Sequence, residues 1–313
     1  MRLSIIEPLG ITEEQVQSLA KKYLPDDVEL TYYNTQAGDD AEKKARVQGA
    51  DVLMLANSPL PQSVLETATA AKFISVAFTG VDHVAMDYCH EKGLVVSNCS
   101  GYANEAVSEL AIGMAIGLYR KLAECDAAVR SGKTRAGLLG RELCGKKFGI
   151  VGAGAIGLAT AKLAQAFGCE VYAYSRTKKE VSGVTFLSLD ELLQTVDIVS
   201  LHVPLTPATR GMIGIKELAL MKETAILINT ARGPVVDGAA LAAALSAGRI
   251  AGAGIDVFDG EPPIPEDNPL LSAPHVLLAP HIGFATQEAL EKRAVIAFEN
   301  VAKWIHGQPQ NVM

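Results

Sequence analysis

Short apolar runs rich in Val and Ile recur along this chain with helix-period segments between them. This alternation restricts the fold more than any other feature. In the first third the runs cover residues 3–6, 28–33, 52–55, 73–77 and 94–97, separated by amphipathic stretches such as 13–23 and 61–71. A strand that is apolar on both faces must be covered on both faces, as in a parallel sheet flanked by helices. After a long helix-prone stretch, 103–130, the pattern restarts with runs at 147–151, 170–174, 198–203, 225–229, 253–257 and 276–279. Two successive sets predict an α/β chain of two doubly wound parallel-sheet domains. A length of 313 residues fits that count, at roughly 100–200 residues per domain.

With 49% hydrophobic and 20% charged residues, the chain has ample material for packed cores, which excludes disorder, collagen and coiled coil. A net charge of −7 argues against nucleic acid or an anionic membrane as the main partner. The five cysteines, Cys89, Cys99, Cys125, Cys144 and Cys169, form no CxxC pair and no Cys/His cluster, so neither disulfides nor a metal are expected. An acid and a proline, Glu7 and Pro8, interrupt the N-terminus before an apolar signal core. No uncharged apolar run reaches the ~18 residues of a membrane span, and a cytoplasmic protein is expected. Residues 109–118 are apolar almost throughout, with small side chains at 111, 113, 115 and 117. Such a helix is expected to be buried on every side, either as core or as part of the interface of a homodimer.

The strongest local motif is Phe148-Gly149-Ile150-Val151-Gly152-Ala153-Gly154-Ala155-Ile156-Gly157, which reads G-x-G-x-x-G directly after a strand. Gly152 permits the tight turn, Gly154 lets the backbone approach a pyrophosphate, and Gly157 lets the helix pack on its strand. The helix is expected to turn Ile156, Thr160, Leu163 and Phe167 to one face. A dinucleotide cofactor follows from the strand–turn–helix context. The next strand ends in Tyr174-Ser175-Arg176-Thr177-Lys178-Lys179, without the Asp or Glu that usually binds an NAD ribose. Arg176, with Ser175 and Thr177, suits a 2′-phosphate instead, so NADP(H) is expected over NAD(H).

Three further motifs follow: Ile228-Asn229-Thr230-Ala231-Arg232-Gly233, then Gly254-Ile255-Asp256-Val257-Phe258-Asp259-Gly260-Glu261-Pro262, then Ala279-Pro280-His281-Ile282-Gly283. Ligands of doubly wound sheets bind at strand carboxyl ends, where Arg232 and His281 would stand. His202 and His275 also lie near strand ends, and Asp259 competes with Glu261.

With these motifs the whole chain resembles the D-isomer-specific 2-hydroxyacid dehydrogenase family. The resemblance extends to Phe78-Thr79-Gly80-Val81-Asp82-His83 and to His202-Val203-Pro204-Leu205-Thr206. It implies a flavodoxin-like substrate domain and a Rossmann cofactor domain with an interdomain cleft. The substrate domain would comprise residues 1–99 plus 284–313, around a cofactor domain of 100–283. The implied catalytic set is Arg232, Glu261 and His281. His281 would exchange the proton, Glu261 would bond its other ring nitrogen, and Arg232 would hold the substrate carboxylate. The N–H groups of Thr79, Gly80 and Val81 would grip the same carboxylate. Asp82 and His83 would shape the turn. The implied cofactor set joins Gly152, Gly154, Ala155, Ile156, Gly157, Ser175, Arg176 and Thr177 to Val203, Pro204, Thr209, Thr230, Ala231, Asp256 and Gly283. Asp256 would orient the nicotinamide carboxamide.

Two departures narrow the substrate. Phosphoglycerate dehydrogenases of the family carry Arg where Val76 stands, and formate dehydrogenases carry Gln where Glu261 stands. The Ser-Arg-Thr turn is similar to glyoxylate/hydroxypyruvate reductases and hydroxyphenylpyruvate reductases. A small 2-oxo or 2-hydroxy acid is therefore the expected partner, with a hydroxypyruvate/glyoxylate-type reductase as the main reading. The alternatives are a D-3-phosphoglycerate dehydrogenase-like enzyme and a dinucleotide-sensing corepressor-like protein.

Overall fold

A computed structural model describes residues 1–313 apart from Lys178, Glu261 and Pro262. The chain divides into two compact units, Met1–Tyr102 with Thr286–Met313, and Ala103–Ala285.

The first unit alternates β1 (Arg2–Ile5), α1 (Glu13–Tyr23), β2 (Glu29–Tyr32), α2 (Asp40–Val47), β3 (Val52–Leu55), α3 (Gln62–Leu65), β4 (Phe73–Val76), α4 (Met86–Lys92) and β5 (Val95–Ser97). Its five strands are parallel in the order β2-β1-β3-β4-β5, and every residue of β3 and β4 is buried. The apolar runs therefore form the centre of the sheet, as their composition requires. The helix expected over 61–71 shrinks to the single turn α3. Thr67 ends it, because its backbone N–H and its hydroxyl both turn back to the Val64 carbonyl, at 3.0 and 2.7 Å. Ser, Thr, Asn and Asp side chains compete with helical bonding in this way.

The second unit opens with α5 (Asn104–Tyr119) and α6 (Leu122–Arg130). It continues through β6 (Lys147–Val151), α7 (Ala155–Ala166), β7 (Glu170–Tyr174), β8 (Val184–Phe186), α8 (Leu189–Thr195), β9 (Ile198–Leu201), α9 (Ile215–Leu220), β10 (Ile226–Asn229), α10 (Gly238–Ser246), β11 (Gly252–Ile255) and β12 (Val276–Leu278). The seven strands are parallel in the order β12-β11-β10-β9-β6-β7-β8. Strand β8, a short edge strand with no fully buried residue, carries too weak a pattern to be read from sequence.

Three expectations are corrected here. The stretch 103–130 is two helices, broken where Lys121 adopts a left-handed φ of 52°. Residues 109–118 are not buried on every side, since Glu109 and Gly113 lie exposed one helical turn apart. The packed face of α7 is Gly157, Thr160, Ala161 and Ala164, while Phe167 is 46% exposed at the helix end. A face of small residues lets the helix axis come close, whereas the larger side chains would hold it off.

The chain then returns to the first unit through α11 (Gln287–Ile305), capped by the Thr286 hydroxyl. There the Trp304 ring stacks on Phe73 at 5.1 Å and the Ser75 hydroxyl donates to the Ala297 carbonyl at 3.0 Å.

Candidate active site

The glycine loop is built by contacts that exclude a side chain. A Cβ on Gly157 would sit 2.1 Å from the Gly152 carbonyl oxygen, and one on Gly152 (φ 104°) 2.5 Å from that of His202. Gly154, the N-cap of α7, has open space where its Cβ would be. No side chain caps α7 and no acid stands in its first turn. Its leading N–H groups and positive dipole are therefore left for an anion. The Thr230 hydroxyl, buried at the end of β10 with no partner among the described residues, is a further unspent group. These features fit a dinucleotide. Gly152, Gly154, Ala155, Ile156 and Gly157 would hold its pyrophosphate.

At the end of β7, Ser175 is half-buried and Arg176 and Thr177 are exposed. The Lys179 ammonium donates to the Ala153 carbonyl at 2.8 Å, folding this basic turn onto the glycine loop. The sequence contains Lys179 in the turn but offers no signal that it reaches back 26 residues. Val203 and Pro204 follow β9. The Thr209 hydroxyl donates to the Pro204 carbonyl at 2.6 Å and accepts the Thr206 N–H at 2.8 Å. Its proton is thus committed to shaping the turn. The His202 ring bonds the Ser200 hydroxyl through Nε2 at 2.9 Å, and its Nδ1 is buried without a partner among the described residues. Burial pushes the imidazole down to about 3, so the ring stays neutral and is not a proton donor near pH 7.

Adjacent strands β10, β11 and β12 deliver Arg232, Asp256 and His281 just beyond their carboxyl ends. The three turns are cross-tied. The Asp256 N–H donates to the Asn229 carbonyl at 3.0 Å, and the His281 N–H donates to the Asp256 carbonyl at 2.8 Å. The Asp256 carboxylate, 1% exposed, accepts the N–H groups of Ile282 and Gly283, both at 2.8 Å. It thereby fixes the turn in which His281 holds a left-handed φ of 58°, a conformation costly for a non-glycine residue and frequent at functional sites. The imidazole meets Phe284 edge-on at 5.5 Å. On the neighbouring turn, Asn229 accepts the Ala231 N–H at 3.1 Å and donates to the Arg232 carbonyl at 3.0 Å. Gly233 is obligatory there, because a Cβ would lie 1.9 Å from the Phe258 backbone. Asn229 escaped the sequence reading, although an amide in a strand-end motif is its visible signal. Glu261 lies outside the described residues, and Asp259 is exposed. His275 precedes β12, at the opposite edge from His281.

In the first unit, residues 79–81 follow β4. Among the described residues none of the Thr79, Gly80 and Val81 N–H groups donates a hydrogen bond. The Asn98 side chain donates to the Thr79 carbonyl at 2.7 Å. No group of metal-binding side chains occurs among the described residues, and no helix is long and apolar enough to cross a membrane.

The sequence profile described as D-isomer specific 2-hydroxyacid dehydrogenase, NAD binding domain, matches residues 112–283. A glyoxylate reductase of Thermococcus litoralis is 42% identical over 282 residues, covering 86% of this chain and 85% of the relative. A hydroxypyruvate reductase of Blautia hydrogenotrophica is 34% identical over 296 residues, covering 91% of each. The crystal structure of the TT0316 protein from Thermus thermophilus covers both chains fully at a TM-score of 0.90 and 35% identity. Parallel-sheet units carrying a dinucleotide loop and an Arg/His edge define a nicotinamide-dependent oxidoreductase. The chain belongs to the D-isomer-specific 2-hydroxyacid dehydrogenase family, and is an NAD(P)-dependent enzyme of that class.

Proposed function

We propose that the enzyme reduces glyoxylate, hydroxypyruvate or a closely similar small 2-oxo acid to the D-2-hydroxy acid, using NADPH in preference to NADH. The observation that carries this is the cross-tied edge of β10, β11 and β12, where Arg232 and His281 stand on turns locked by Asn229 and Asp256. The reductase names of the relatives support the substrate class. Val76, fully buried in β4, leaves no cation at the position of the phosphoglycerate dehydrogenase arginine, which favours an unphosphorylated substrate.

A nicotinamide cofactor, when bound, would supply the hydride for reduction of the 2-oxo carbon. His281 gives the proton to the oxo oxygen and takes it back in the oxidative direction. Glu261, assigned on the family resemblance, would bond the other ring nitrogen and set the tautomer. Arg232 holds the carboxylate through its planar fork, which also polarises the oxo group. In the first unit, the N–H groups of Thr79, Gly80 and Val81 are the proposed donors to the substrate carboxylate. Thr230, Ala231, Val203, Pro204 and Gly283 would line the cofactor, and Thr209 shapes the turn after β9. Asp256 holds the His281 turn and would bond the carboxamide. Ser175, Arg176 and Thr177 would take the 2′-phosphate.

A homodimer in a reducing cytoplasm belongs to the same proposal. Helix α6 buries none of its residues, and Leu122, Val129 and Leu139 are 54, 75 and 91% exposed, as apolar side chains that a second copy would cover. All five cysteines are free, and burial pushes Cys89 and Cys169 up to about 11 and Cys99 up to about 12, which keeps these three as inert thiols. Sedimentation at the monomer mass would count against the dimer.

The deciding experiment is steady-state oxidation of NADPH and NADH with glyoxylate, hydroxypyruvate, pyruvate and phosphohydroxypyruvate. The expected ranking puts the first two ahead, with NADPH preferred. Phosphohydroxypyruvate ranking first would overturn the substrate assignment, and equal use of both cofactors would overturn the preference.

A further inference from the structure

Five residues beyond the last helix, the chain makes a second set of contacts in the first unit. Ser97 and Val312 form an antiparallel bridge, the Asn98 N–H donates to the Asn311 carbonyl at 3.0 Å, and the Met313 N–H to that of Val96 at 2.9 Å. The Ser97 hydroxyl reaches the Gln310 carbonyl at 2.7 Å. The segment 310–313 thus lies along the outer side of β5.

Side chains carry this contact inward. The Gln310 and Asn311 amides both donate to Oδ1 of Asn300, at 3.1 and 3.0 Å. Asn300, fully buried in α11, donates through Nδ2 to the Asn98 carbonyl at 2.8 Å. Asn98, 6% exposed, donates in turn to the Thr79 carbonyl at 2.7 Å. Its backbone N–H is held by the Asn311 carbonyl and its carbonyl by Asn300, and its side-chain amide is the group that reaches Thr79. The Thr79 carbonyl and the Gly80 N–H belong to the same planar trans peptide and point in opposite directions. A carbonyl drawn inward by Asn98 therefore aims the Gly80 N–H outward.

We infer that Asn98 and Asn300 are positioning residues that aim the Gly80 N–H at the substrate carboxylate, and that the segment 310–313 holds them in register. The inference rests on the proposed role of residues 79–81. A carboxylate bound by backbone N–H groups is sensitive to their direction, because hydrogen bonds weaken steeply as the angle closes. Loss of one such constraint corresponds to about 1 kcal/mol, or about fivefold in affinity.

The experiment compares four forms of the full chain with NADPH and glyoxylate: parent, Asn98→Ala, the double variant Gln310→Ala/Asn311→Ala, and Gly80→Pro. The last deletes the proposed donor itself. Asn98→Ala is expected to raise the KM for glyoxylate about fivefold, with kcat, NADPH affinity and Tm close to the parent. The double variant removes no buried side chain, so it reports even if Asn98→Ala does not fold, and its KM is expected to rise about twofold to threefold. Gly80→Pro is expected to raise KM at least as much as Asn98→Ala. If Gly80→Pro raises KM and both other changes leave it unaltered, the positioning inference fails alone. If Gly80→Pro leaves KM unaltered, the carboxylate grip fails and the inference with it. A uniform fall in kcat, NADPH affinity and Tm would reduce the amide chain to a structural support and overturn its positioning role.

Discussion

The carboxyl edges of the two sheets are made in different ways. In the second unit backbone pressed against backbone shapes the glycine turns, and the Asn229 and Asp256 side chains brace the Arg232 and His281 turns beside them. Gly152, Gly157 and Gly233 each stand where a Cβ would fall within 2.5 Å of a neighbouring main-chain atom. In the first unit the loops are pinned by side chains. The Glu7 carboxylate, 1% exposed, accepts the N–H groups of Ala56 at 2.7 Å and Ser58 at 3.0 Å after β3, and Asn98 holds Thr79 after β4. A pyrophosphate read by N–H groups requires the chain to come close, and only glycine allows that. A loop held by side-chain hydrogen bonds is re-aimed by a single substitution. Under the proposed function, the loops after β3 and β4 are the adjustable part, suited to distinguishing 2-oxo acids, and the glycine loop of the second edge is the fixed part, suited to a constant cofactor.

The largest effect expected on the second edge is chemical. His281→Ala should lower kcat by about 10²–10⁴-fold while NADPH affinity, followed by fluorescence titration, stays within about twofold of the parent. Equal loss of both would break the separation between the cofactor loop and the proton donor. Steric effects come next. Gly157→Ala should destabilise the fold by about 3 kcal/mol or more in urea unfolding, because the opposing atom is a carbonyl that cannot yield. Gly154→Ala, with φ −80° and open space around it, should keep the parent's stability and lose cofactor affinity instead. If both changes behave alike, the distinction between a packing glycine and a ligand-facing glycine is wrong.

Arg176→Ala sharpens the cofactor side. A charge-assisted pair contributes about 1.5–3 kcal/mol, so NADPH should lose about tenfold or more in kcat/KM with little change for NADH. Similar losses for both would remove Arg176 as the phosphate reader. The smallest effect near neutral pH concerns His202. Its folded imidazole is held neutral down to about 3 by burial, whereas in the unfolded chain it takes a proton near 6.5. The unfolded state thus binds more protons as pH falls below about 6.5. Stability contributed by the neutral ring is lost at up to about 1.4 kcal/mol per pH unit from there toward 3. His202→Gln should flatten that acid slope in urea titrations between pH 4 and 7, and an unchanged slope would mean the ring is hydrated in solution.

Much of this architecture is legible in the chain itself. The runs at 52–55, 147–151 and 170–174 coincide with β3, β6 and β7; β3 and β6 are buried almost throughout, which leaves a nearly unbroken apolar stretch, while β7 alternates buried with less buried residues. The glycine loop was equally plain, because each glycine answers a local backbone requirement. Where burial depends on what happens to lie alongside, legibility falls. The α5–α6 break at Lys121 carries no Gly or Pro, and the packed face of α7 follows its smallest residues rather than its most apolar ones. Lys179 and Asn98 are ordinary polar residues until their partners are known.

The sequence alone determined the strand–helix alternation, the dinucleotide loop and the presence of Arg232 and His281 beyond strand ends. Each is written in periodicity or in a short motif, which neighbouring residues suffice to encode. Only the tertiary structure decided that β10, β11 and β12 stand side by side, so that Asp256 braces a turn 26 residues away. It alone joined Asn300 to Asn98 across 202 residues and Asn98 to the Thr79 carbonyl. Hydrogen-bond partners so far apart leave no local trace, because their meeting is set by sheet order and by the return of α11, not by any pattern either segment carries.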